Sequence, residues 1–147
     1  AAALASASEV PPDDPSYAHA LVFRAHLLLN LGRLEECEAL LAEAERLGDR
    51  SGDLFAQRAW LRMRQGRLAE CSEAIDRLDQ TIANSLSRPQ HWLDSSLELN
   101  AVRDEHLGRL ESALARRQEL VRRHPQREDY RRYLQQVRDR IAARPSA

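Results

Sequence analysis

The residues able to do chemistry are few and scattered. Five histidines, His19, His26, His91, His106 and His124, could ligate a metal or carry a proton, but no two stand three or four residues apart. That is the spacing that would bring both rings to one ion from one helix; His19 and His26 share a helical face yet lie about 10 Å apart along it. The two cysteines, Cys37 and Cys71, have no Cys or His at zinc-ligand spacing and are too few for a disulfide framework. There is no Gly-rich phosphate loop and no G-x-S-x-G nucleophile turn, and the glutamates are spread over solvent-facing helix positions. The expectation is a non-enzyme with no metal and no cofactor, its thiols reduced as in a cytosolic protein.

The elements carrying these residues are read from composition. The 147 residues hold 23 Leu and 22 Ala against five Val, three Ile and one Thr, a set rich in helix formers and poor in strand formers. An all-α fold is predicted. All 22 basic residues are Arg, which reads as a GC-rich coding sequence. The net charge of −1 hides an asymmetry: residues 1–49 carry nine acids and three Arg, whereas residues 116–147 carry four acids and ten Arg. No window reaches the roughly 18 apolar residues of a membrane span, so a soluble chain is expected. Residues 1–13 read as an Ala/Ser/Pro-rich leader, either a linker or the remnant of a signal peptide.

One phrase recurs: Leu31-Gly32-Arg33-Leu34, Gln65-Gly66-Arg67-Leu68 and Leu107-Gly108-Arg109-Leu110. The first two glycines are 34 residues apart and the next two 42 apart, one period followed by a period with an insertion around Asn84–Gln90. Each Gly sits between apolar stripes at i, i+3, i+4 and i+7, which predicts helix pairs closed by a tight turn. The predicted helices run from Asp14-Pro15 to about Asn30, then about 34–47, 53–65, 68–83, 89–107, 110–124 and 128–143.

These features resemble the tetratricopeptide repeat (TPR) family. The resemblance rests on a small-residue column in the first helix of each pair (Ala25, Ala59, Ala101), a second in the other helix (Cys37, Cys71, Ala113), and Pro125 near the end of the third repeat. It departs from the family at Arg24, Arg58 and Asn100, where Leu is usual, and at Arg117, where a large residue is usual. The resemblance implies a right-handed α-α superhelix over residues 14–144, with repeats at about 18–51, 52–85 and 94–127 and a capping helix at about 128–143. Cys37 and Cys71 are then small packing residues, not a redox pair.

The resemblance also implies a protein-interaction scaffold that holds a partner's peptide or helix in a concave groove. The groove positions fall on His19, Val22, His26, Leu29 and Asn30, on Asp53, Ala56, Trp60, Met63 and Arg64, and on Ser95, Glu98, Val102, Glu105 and His106. Trp60 and Met63 are anchor-type residues, with Val22, Leu29 and Val102 beside them and Glu98 and Glu105 as an acidic rim. The Lys/Asn clamp by which some family members hold a terminal carboxylate is not matched, since Val22 and His26 occupy its first two places. The first helix is apolar most of the way round and is expected to be covered by residues 1–12, by an upstream repeat or by a second copy. The alternative function is binding of nucleic acid or an anionic surface by Arg116, Arg117, Arg122, Arg123, Arg127, Arg131 and Arg132 with Tyr130 and Tyr133; the near-zero whole-chain charge weighs against it.

Overall fold

A chain this rich in Leu and Ala satisfies its backbone within helices, and the computed structural model is all-α. It describes residue 3 and residues 9–145; the expectations for the rest of the leader lie outside the described residues. Seven long helices follow one another with no strand among the described residues: α1 Tyr17–Asn30, α2 Leu34–Arg46, α3 Gly52–Arg64, α4 Leu68–Asn84, α5 Gln90–His106, α6 Leu110–Arg123 and α7 Glu128–Ala142. Each bound lies within three residues of the sequence expectation. The largest difference is at α1, where Asp14 does not cap the helix. Its Oδ1 accepts hydrogen bonds from the Ser16 backbone N–H (2.8 Å) and hydroxyl (2.7 Å), a side-chain turn around Pro15 that delays the helix to Tyr17.

The Gly-Arg-Leu phrase is a helix stop fused to a helix start. Gly66 has φ +74°, a conformation that costs an L side chain strain and glycine none. Its N–H reaches the Met63 carbonyl (3.0 Å) while the Arg67 N–H reaches the Arg62 carbonyl (2.8 Å), the paired bonds that seal the end of a helix. The same two bonds recur at Gly32-Arg33 and Gly108-Arg109. Leu34, Leu68 and Leu110 each begin the following helix, so the chain reverses in three residues. At α3 the cap is a side chain: Ser51 Oγ accepts from the Leu54 N–H at 3.2 Å and donates to Asp49.

The chain divides into two compact units, residues 1–86 and 87–147, and the division falls in the segment where the repeat spacing lengthens. In the first unit α1 packs on α2, α2 on α3, α3 on α4, and α1 also meets α3. Its core holds Leu28, Leu41, Leu54, Leu61, Ile75 and Leu78, and the small residues Ala25, Ala59 and Cys37 are wholly buried. In the second unit α6 packs on both α5 and α7 around Leu99, Ala101, Ala113, Leu120 and Val137. Both small-residue columns are therefore core throughout: a larger side chain there would push helices apart at a cost of about 1–3 kcal/mol. Cys37 and Cys71 are buried and not joined in a disulfide; burial pushes the Cys37 thiol up to about 11, away from the thiolate form that reacts. Among the described residues, no helix is long and apolar enough to cross a membrane.

Candidate functional site

On the first unit, the face shared by α1 and α3 is built from residues seven and four apart: His19, His26 and Asn30 on one helix, Gln57, Trp60 and Arg64 on the other. Asn30 Nδ2 stands 3.3 Å from His26 Nε2, and His26 Nδ1 stands 3.1 Å from Gln57 Oε1. The imidazole thus bridges the two amides, its ring nitrogens donating or accepting according to the tautomer. Arg64 Nη1 donates to the Leu29 carbonyl at 2.9 Å. These bonds tie α1 to α3 and leave Trp60 and Met63 half-buried on the face, with His19, Asn30 and Arg64 exposed.

Three of the expected groove residues are core instead. Val22, Leu29 and Ala56 are exposed by 2%, 4% and 3%, so they give a partner no surface. Val22 and Leu29 face inward because α1 is flanked by both α2 and α3, and Ala56 because α3 is flanked by α1, α2 and α4, so both helices carry apolar side chains on more than one side. Gln57 was not among the expected residues; its role depends on a contact 31 positions away, and no local signal in the sequence marks such a pair.

On the second unit, Glu98, Val102 and Glu105 of α5 are half-buried, but the two glutamates do not form a free acidic rim. Glu105 accepts from Arg117 Nη2 at 2.7 Å, and Arg117 itself is only 4% exposed, with its guanidinium carbon 5.0 Å from the Tyr133 ring centre. The unusual Arg in helix α6 is thus accommodated by a charge partner and an aromatic face. Glu98 lies 3.4 Å from the Tyr130 hydroxyl; burial pushes its carboxyl up, against the pull of Arg117 and Arg127. Burial, with Glu98 beside it, raises the Tyr130 phenol to about 12, so that Tyr130 keeps its proton and donates.

Of the seven arginines expected to form a basic surface at the C-terminal end, five already pair with carboxylates. Arg116 pairs with Asp104, Arg122 and Arg123 with Glu119, and Arg127 with Asp129. Glu119 and Asp129 are drawn down to about 2 by those arginines. Tyr130 is buried under Arg127, whose guanidinium carbon is 4.0 Å from its ring centre, and Tyr133 is stacked by Arg117 and Arg132. Arg131 bonds to the Pro125 carbonyl. Rings already covered by guanidinium groups cannot stack on bases.

The histidines remain apart: His124 bonds Asp94 at 2.8 Å and His106 its own helix at the Val102 carbonyl. Among the described residues no group of three His, Cys, Asp or Glu side chains could hold a metal ion. No family model matches the sequence, and neither the curated proteins nor the solved structures contain a match to it.

Proposed function

We propose that the chain is a TPR-like helical-repeat module that binds a peptide segment or helix of a partner protein without catalysing a reaction. The observation that carries this reading is the α1/α3 face of the first unit. There Trp60 and Met63 are half-buried on α3, the helix whose Gln57 joins the polar ladder with His26 and Asn30 of α1. A half-buried aromatic on the same helix as hydrogen-bonding groups offers a partner both apolar area and polar contacts. The helix pairs, their repeated turn and their small-residue columns support the repeat reading. The rival reading, an anionic polymer on the arginine-rich end, is weakened by the carboxylates already paired with Arg116, Arg117, Arg122, Arg123 and Arg127.

The test is affinity capture from nuclease-treated lysate at physiological salt, comparing wild type with Trp60→Ala and identifying retained proteins by mass spectrometry. A partner retained by wild type and lost by a normally melting Trp60→Ala protein is the expected result. Equal retention by both would overturn the assignment to this face. Binding that vanishes with nuclease or modest salt would transfer the function to the arginines.

A further inference from the structure

We propose that a cleft between the N-terminal part of α3 and the C-terminal half of α4 binds an anionic side chain of a peptide, its carboxylate or phosphate held by Arg50 and Arg77. The first unit is acidic, with fourteen Asp and Glu against nine Arg in residues 1–86. Five of those arginines are engaged by carboxylates: Arg33, Arg46, Arg58, Arg62 and Arg67. Arg50 and Arg77 have no carboxylate within 4.0 Å among the described residues. Both line one cleft of about 520 Å³, and no Asp or Glu lines it with them. In an acid-rich unit, two uncompensated guanidinium groups in one hollow form a local excess of positive charge.

The cleft is also shaped for more than an ion. Its floor is Phe55, only 5% exposed, with the Arg77 guanidinium carbon 5.4 Å from the ring centre. Arg77, Gln80, Thr81 and Asn84 stand at i, i+3, i+4 and i+7 on α4 and all line the cleft, one helical stripe of hydrogen-bonding groups. Arg50 is anchored, since its Nη1 donates to the carbonyls of Glu45 (2.8 Å) and Asp49 (2.7 Å). A guanidinium has five N–H donors, so three remain on Nε and Nη2 for an oxyanion, the geometry that suits carboxylate or phosphate.

Charge complementarity selects a peptide over a polyanion. An adjoining hollow of about 620 Å³ shares Phe55, Arg77 and Gln80 and is lined by Glu70, Glu73 and Asp76 together with Arg58 and Arg62, whose charges are already engaged by Glu45, Glu38 and Glu70. A run of phosphates crossing both would meet these acids beside arginines that already have carboxylate partners; a peptide with an acidic residue next to basic ones suits the pair of hollows better. The cleft is separate from the Trp60 face, and its assignment stands or falls without it.

The test is a calorimetric titration of the full chain at low ionic strength with two hexapeptides of the same sequence, one with Glu and one with phosphoserine at a single acidic position beside two Arg. Wild type is expected to bind at least one; binding of the Glu peptide points to acidic segments, and preference for phosphoserine to a modified one. Arg50→Gln with Arg77→Gln should weaken binding roughly tenfold, while Trp60→Ala leaves it unchanged. Because Arg77 also stacks on Phe55, Arg50→Gln alone is the second variant, folding normally and weakening binding by a smaller factor. Failure of wild type to bind either peptide, or equal binding by wild type and both Arg variants, overturns the proposal.

Discussion

Replacing Gly66 by Ala tests the turn on which the repeated phrase depends. The added Cβ would meet nothing within 4 Å, so packing does not enter, and the whole effect comes from φ +74°. Holding an L residue in that conformation costs about 1–2 kcal/mol. Ala also has fewer unfolded conformations to lose, which returns about 0.4–1 kcal/mol, leaving a net destabilisation of about 1 kcal/mol. With a urea dependence of about 1–3 kcal/mol/M, the unfolding midpoint should fall by roughly 0.3–1 M at unchanged slope. Asn, which tolerates the left-handed region better than Ala, should fall between Gly and Ala. The assay is urea unfolding followed by circular dichroism at 222 nm. A midpoint for Gly66→Ala equal to or above wild type would show that the left-handed turn is not what holds α3 and α4 together.

The remaining expectations concern ionisation and the thiols. Glu98 has its carboxyl raised by burial, so the folded protein binds the proton more tightly than the unfolded chain and stability is lost as pH rises through the raised value. Glu98→Gln should therefore melt above wild type at pH 7, with the gap closing as the pH falls toward the ordinary glutamate value of 4.5; melting temperature against pH decides it, and a constant gap would refute it. Cys37 and Cys71 are buried, so a colorimetric thiol reagent at pH 8 should label neither in the native state and both in denaturant. Rapid native labelling of Cys37 would contradict its position in the core.

Much of the architecture was legible in the sequence because it rests on local rules. The Gly-Arg-Leu phrase marks three turns, Leu and Ala set the helices, and the columns through Ala25, Ala59, Ala101 and Cys37, Cys71, Ala113 all fall in the core. The candidate site was less legible. A helix-face pattern placed Val22, Leu29 and Ala56 toward a groove, but α1 and α3 each meet more than one neighbour, and which apolar side chains stay exposed depends on all of them. Likewise the glutamates at 98 and 105 read as a free rim until Tyr130 and Arg117, more than ten residues away, are brought to them. The cationic excess at Arg50 and Arg77 was illegible for the same reason, since it depends on where the carboxylates are not.

The three-residue reversals have a consequence for how the chain reaches this state. Closing so short a turn costs little loop entropy, and the helices it joins are each other's main packing partners. Most native contacts therefore form between segments already close along the chain, the topology associated with folding in microseconds to milliseconds. Each hairpin of helices can then begin to fold within its own stretch of chain.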